Sequence, residues 1–97
     1  ASGTSLFLLS HHDTGKQMEP YLLKFNENAD SNEIMTEHPG QEFIHVLEGK
    51  ILINLDNNQF ILEKGDNFYY NSNKSHSIKN IGKSSAKILW IITPPYI

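Results

Sequence analysis

Apolar residues recur at every second position along most of this chain, and that period leaves room for little except β-strands. In residues 21–25, Tyr21, Leu23 and Phe25 share a face, and in Lys50–Leu55 the residues Ile51, Ile53 and Leu55 do the same. Residues 59–62, 67–70, 75–78 and 87–92 repeat the pattern, rich in the Ile, Tyr and Phe that suit a pleated, half-buried surface. Turn-forming clusters separate these runs: residues 26–32, Pro39-Gly40, Asp56-Asn57-Asn58, Lys64-Gly65-Asp66, residues 71–74 and Asn80-Ile81-Gly82-Lys83. Strands and turns alternating about every 8–12 residues predict an all-β sandwich or barrel. No long stretch keeps a helical period, and there is no repeat, linker or low-complexity segment. Residues 6–9 form a short apolar run that reads as a first strand or as a strap across an edge. An open sheet edge invites association, so closure into a barrel or strand exchange with a second copy is expected.

The chain has 97 residues, room for one domain. A domain of that size hides only about 60–65% of its unfolded surface, which favours a homodimer. Eleven Asp and Glu outnumber eight basic residues, giving a net charge of −3, and every basic residue is Lys. An acidic chain without Arg lacks both the electrostatic footprint and the bidentate guanine contact of a nucleic-acid binder. Cysteine is absent, which excludes disulfide frameworks, zinc knuckles and thiol nucleophiles. The apolar runs are too short to span a bilayer, no membrane partner is expected, and nothing signals export, so the expected location is the cytoplasm. Ala1-Ser2-Gly3 reads as a cloning remnant or a frayed end.

With Cys missing, metal binding and proton transfer fall to His, Asp and Glu. The histidines are His11, His12, His38, His45 and His76. If residues 38–46 are extended, the even positions Thr36, His38, Glu42, Ile44 and Val46 point the same way, which places His38 and Glu42 among apolar neighbours. A carboxylate so placed is costly unless paired or bound to a cation. His76 shares a face with Ile78 and also points inward. Two imidazoles and a carboxylate form the facial set that holds Fe(II) with open positions, and Zn²⁺ with a water fits as well. The alternative is a buried polar cluster bridged by water. His45 has the opposite parity and is expected to pack against a second sheet or subunit rather than to ligate, whereas His11-His12 read as solvated. Gly49 supplies a turn conformation unfavourable to residues with Cβ, and Asp66 caps the Gly65 turn. Phe68, Tyr70 and Trp90 are either core or cavity lining.

The order of these residues resembles the two motifs of the cupin superfamily, over about Tyr21 to Pro95. Residues 36–49, Thr-Glu-His-Pro-Gly-Gln-Glu-Phe-Ile-His-Val-Leu-Glu-Gly, match the first motif except that Thr36 stands where its first His falls. The second runs from Gly65-Asp66 to His76 and Asn80, with Asn71 and Asn73 replacing the usual Pro and Gly. Met18–Leu23, Glu42–Gly49 and Leu89–Pro95 are more closely similar to the C-terminal cupin domain of helix-turn-helix regulators of the xenobiotic-response-element (XRE) type.

The resemblance implies a small antiparallel β-barrel, the double-stranded β-helix or jelly-roll-like cupin fold, as one domain over residues 1–97 and expected as a dimer. Any DNA-binding domain then lies outside this chain. It implies a domain that binds a small-molecule effector and so controls DNA binding by a separate N-terminal domain. The same plan occurs in a mononuclear iron epoxidase, so a metal-dependent oxygenase or isomerase is the alternative. Three of four usual ligands, His38, Glu42 and His76, remain for a divalent ion (Fe, Mn, Zn or Ni). Thr36, Ile44, Phe68, Tyr70 and Trp90 are the candidate ligand-lining residues; on the regulator reading no residue is assigned a catalytic role.

Overall fold

Among the described residues, eight antiparallel strands divide five to three between two sheets, and this imbalance governs what is covered. The computed structural model describes residues 3–11, 13–32 and 35–95; Ala1-Ser2 and His12 lie outside the described residues. The strands are β1 (Thr4–Leu8), β2 (Glu19–Phe25), β3 (Gln41–Glu48), β4 (Lys50–Leu55), β5 (Asn58–Glu63), β6 (Asn67–Asn71), β7 (His76–Asn80) and β8 (Ala86–Thr93). One sheet runs β1-β2-β8-β3-β6 and the other β5-β4-β7. Among the described residues there is no helix, and none is long and apolar enough to cross a membrane. The expected all-β architecture is the one observed.

Alternation decides which side chains enter the space between the sheets. On β2, Tyr21, Leu23 and Phe25 are buried; on β8, Ala86, Ile88, Trp90 and Ile92; on β3, Glu42, Ile44 and Val46; on β4, Ile51 and Ile53. Burying each large aliphatic side chain is worth about 1.5–3 kcal/mol. Three strands cannot roof five, so β1 overhangs. It pairs along its length with β2, yet Leu6, Phe7, Leu8 and neighbouring Leu9 are 43–53% exposed. The apolar run at residues 6–9 is thus mostly edge strand rather than a strap.

The expectation of continuous extended chain over residues 38–46 is corrected. The ladder begins at Gln41, and residues 36–40 approach it as a loop. Pro39 has no N–H to give a ladder, and Gly40 takes φ +133°, where a Cβ would sit 2.0 Å from the Thr93 carbonyl oxygen. The loop instead pairs with the β6–β7 turn: His38 N donates to Ser72 O (2.9 Å) and Ser72 N to Gly40 O (2.9 Å). The two loops are thereby joined at one end of the barrel. The other turns follow the sequence reading. Gly49 has φ +85° with Ala86 against it, and Asp66 Oδ2 accepts from Glu63 N at 2.8 Å. Asn80, fully buried, donates to Phe25 O, Asn26 O and Ser84 O and accepts from Gly82 N, so its role is structural.

Gly40→Ala must displace backbone rather than a flexible side chain. We expect a loss of at least about 1–3 kcal/mol in urea unfolding, with backbone NMR shifts concentrated at residues 38–40, 71–73 and 93–94. A substitution that leaves stability unchanged would show that this crossing is not tight.

Candidate functional site

Glu42 lies near the start of β3 and points into the barrel, its side chain 1% exposed. A carboxylate there must collect donors, and four groups approach it from different elements. Trp90 on β8 donates Nε1–H to Oε1 at 2.8 Å, and Tyr70 on β6 donates its hydroxyl to the same oxygen. His38, on the loop, places Nε2 2.8 Å from Oε2. His76, at the start of β7 in the opposite sheet, places Nε2 3.1 Å from Oε2. That last approach has ion-pair distance but not hydrogen-bond alignment, and Nε2 of His76 is left buried without a hydrogen-bond partner.

Each imidazole is oriented from behind by its other nitrogen. Nδ1 of His38 lies 3.1 Å from Pro39 O, and Nδ1 of His76 lies 2.7 Å from Lys74 O. A carbonyl can only accept, so in each ring Nδ1 carries a proton; Nε2 faces the carboxylate and donates to it only in the protonated, imidazolium form. The two rings stand nearly perpendicular with centroids 6.4 Å apart, and Tyr70 lies 5.0 Å from His76.

These contacts shift the ionisable groups. Burial alone would raise the Glu42 carboxyl, but His76, Tyr70 and Trp90 outweigh it and hold it down from 4.5 to about 2. Burial works against a charged His76, yet the contact with Glu42, the Lys74 carbonyl and the charge of Glu37 leave it raised above 6.5. Burial first, then the Glu42 charge, raises the Tyr70 hydroxyl.

An open pocket of about 580 Å³ adjoins this cluster, lined by Glu37, His38, Pro39, Gly40, Asn71 and Asn73. On the turn between Asn71 and Asn73, Ser72 is fully buried, and its Oγ is a second buried atom without a partner. Buried polar atoms are nearly always satisfied, so these two stand out among the described residues.

The structure brings His38, Glu42 and His76 together, as the motif spacing predicts. Of the expected lining residues, Tyr70 and Trp90 touch Glu42 as hydrogen-bond donors rather than only as apolar wall. Ile44 is fully buried, opposite Phe68 and Trp90 in register, and Phe68 stacks between Phe60 and Tyr70. Thr36 is exposed in the approach loop, so the inward parity expected for it does not hold. His45 faces away from the second sheet and meets Asn67 Oδ1 on β6, which corrects the first of the two places expected for it, packing against a second sheet. His11 is exposed.

Glu37, Ser72, Asn71 and Asn73 escaped the sequence reading as site residues; only the departure of the two Asn from the motif pointed to them. Glu19 escaped it too. This second buried carboxylate sits opposite Ile92, as Glu42 does from the other side, and is held by Lys16 Nζ at 3.2 Å and the Tyr21 hydroxyl at 3.0 Å. Burial, reinforced by Glu19, pushes Tyr21 up to about 12.

The donor chemistry of His38, Glu42 and His76 suits a divalent ion, because both rings present Nε2 while Nδ1 is held by backbone, the usual support behind a metal-ligating His. Among the described residues, however, no group of His, Asp and Glu is set out as a preformed metal site. Here the donors meet one another, and an ion would have to part them.

The shifts carry a pH signature in chelator-treated protein. The depressed Glu42 contributes stability that is complete above its ordinary 4.5 and is lost as pH falls toward 2. The raised His76 contributes stability that is complete below 6.5 and is lost as pH climbs through its folded value. Thermal stability should therefore peak between these ordinary values, and Glu42→Gln should flatten both flanks. Unchanged flanks in that variant would assign them to other groups.

Comparison with known proteins places residues 21–92 on the cupin domain model. An uncharacterized protein from Methanocaldococcus jannaschii is 33% identical over 95 residues, covering 97% of this chain and 76% of the relative. Among solved structures, the cupin domain of an XRE-family transcriptional regulator from Enterobacter cloacae superposes with a TM-score of 0.85 at 17% identity, covering 97% of this chain and 99% of that one. An HTH_3-family transcriptional regulator from Vibrio cholerae gives 0.80 at 20% identity over 96% of this chain and 52% of that one. A cupin superfamily protein from Desulfitobacterium hafniense gives 0.79 at 21% identity over 97% and 80%. At these identities the structural likeness is one of fold.

Proposed function

Because this chain belongs to the cupin family, we propose that it is a small-molecule-binding domain that takes up its ligand at the Glu42–His76 end of the barrel. The observation that carries this reading is the pocket of about 580 Å³ that opens over His38, Asn71 and Asn73, next in the chain to Ser72, whose buried Oγ lacks a hydrogen-bond partner, and next to the His38–Glu42–His76 cluster. A ligand entering past Asn71 and Asn73 meets amide donors and acceptors at the rim and His38 beneath them. Most of a small ligand's affinity comes from apolar contact, with a few placed polar groups fixing its orientation.

The finer reading is an effector domain of a helix-turn-helix regulator. The segments quoted above and the shared fold with two regulators support it. The acidic chain without Arg fits DNA contact through a separate domain, in the cytoplasm. Ligand uptake regulates only if it favours one arrangement of the regulator over another, typically by about 1–3 kcal/mol.

The second reading is a metal-dependent oxygenase or isomerase, favoured by the paired Nδ1-to-carbonyl contacts of His38 and His76. His38, Glu42 and His76 would hold the ion, which would supply a Lewis acid with positions open to substrate. Tyr70 and Trp90 would keep Glu42 charged and oriented.

A thermal-shift screen of small metabolites, followed by NMR, tests the first reading. Hits should perturb His38, Asn71, Asn73 and His76, and His76→Ala should weaken them by roughly tenfold or more. Hits that perturb only other surfaces, or that bind His38→Ala, Glu42→Ala and His76→Ala unchanged, would leave the barrel end as a structural remnant. Separately, protein incubated with Fe(II), Mn(II), Zn(II) or Ni(II) and washed should retain one of them stoichiometrically if the second reading holds. Glu42→Gln should abolish that retention, and negligible retention of all four sinks the metal reading alone.

A further inference from the structure

We propose that Tyr21, tethered by Glu19 and Lys16, is a positioning residue for the Glu42 end of the barrel and acts on it through Trp90. The inference rests on the reading of that end as the binding site for its consequence, while its test uses no ligand. Two inward rows cross β2, β8 and β3 side by side. One is Glu19, Ile92 and Glu42; the other is Tyr21, Trp90 and Ile44. All six side chains are buried. Hydrogen bonds run from the second row to the first at both sides: the Tyr21 hydroxyl donates to Glu19 Oε1 at 3.0 Å, and Trp90 Nε1–H to Glu42 Oε1 at 2.8 Å. The Tyr21 and Trp90 rings join the two halves, with centroids 5.5 Å apart and planes tilted by 37°.

Stability alone does not call for this arrangement, because a buried ion pair is weak support for a fold and apolar side chains of similar volume often serve as well. What the charged pair adds is a fixed point. The Lys16 ammonium has three donors, and it meets Ser10 Oγ at 3.1 Å, His11 O at 3.3 Å and Glu19 Oε2 at 3.2 Å. The loop between β1 and β2 is thereby tied to the start of β2. Glu19 Oε1 then holds the Tyr21 hydroxyl, and burial with the nearby Glu19 charge keeps that hydroxyl protonated as a donor. Aromatic pairs accept centroid distances of about 4.5–7 Å and several tilts, so a ring contact alone leaves an indole room to shift. A ring fixed at its hydroxyl removes that room. On the other side of Glu42, Tyr70 has Phe68 and His76 against its ring. Both donors to Glu42 Oε1 are thus backed by rings, and Lys16, Glu19, Tyr21 and Trp90 link the β1–β2 loop to the carboxylate that anchors the site. Whatever moves that loop then moves the anchor, and by reciprocity occupancy of the site acts on the loop.

Trp90 is the single tryptophan of the chain, so its indole N–H gives one resonance in a proton–nitrogen NMR spectrum of the full-length protein. Tyr21→Phe keeps the ring and removes the tether. The indole proton should move upfield as its bond to Glu42 lengthens, and it should exchange with solvent roughly tenfold faster or more. Lys16→Met, which leaves Glu19 unbalanced, should do the same, and adding Glu19→Gln, whose neutral amide still accepts from Tyr21, should restore the wild-type signal. Phe25→Leu, buried at the far end of β2, loses stability without touching the tether and should leave the indole shift in place. Circular dichroism checks folding; if Lys16→Met does not fold, Tyr21→Phe against Phe25→Leu decides. An unmoved indole signal in Tyr21→Phe, an equal displacement by Phe25→Leu, or a folded Lys16→Met that Glu19→Gln fails to restore would each overturn the proposal. Failure of every small-molecule screen would sink the binding-site reading and leave these outcomes as they stand.

Discussion

The demand of one buried carboxylate organises the functional end of this barrel. Glu42 is almost wholly withdrawn from water, and an unpaired charge there would cost several kcal/mol. The donors that offset this come from β6, β8, the β7 start and the loop before β3. No single element carries the site, so it exists only when both sheets have closed. Assembly of the site therefore requires both sheets and the loop before β3 to be in place.

The same arrangement explains why the site is polarised. Oε1 is committed to two donors, Tyr70 and Trp90, which hold the carboxylate in place. Oε2 faces the two imidazoles and, beyond His38, the open pocket. One oxygen anchors and the other is left for exchangeable partners. A ligand or a cation competes only with the imidazole contacts, while the anchoring pair stays fixed. The Lys16–Glu19–Tyr21 cluster satisfies a second buried carboxylate in the usual way, with a full ion pair and a hydroxyl.

Much of this was legible in the residues. Period-two alternation located the strands because an inward apolar row has no other stable home in so small a chain. The spacing of His38, Glu42 and His76 located the cluster, although for a partly mistaken reason. His38 reaches Glu42 through the turn at Pro39-Gly40, not along an extended strand. What escaped was chemistry hidden in residues that look like core. Tyr70 and Trp90 read as apolar bulk, and nothing in their neighbours reveals that both polar atoms converge on one oxygen. Glu19 was invisible because Lys16, its partner, reaches it from an irregular loop. Thr36 misled because parity stops meaning anything where the ladder stops.

Strands β3 and β8 carry apolar side chains on both faces of the sheet. Their even residues, 42, 44, 88, 90 and 92, build the interior, while Phe43, Leu89 and Ile91 form a second apolar surface behind it. Such strands have almost no neutral positions, so mutational tolerance in this chain must be concentrated elsewhere, in β5 and the connecting turns. An engineer seeking to graft a new specificity would do well to vary the exposed rim positions 37, 71 and 73 and leave these two strands untouched.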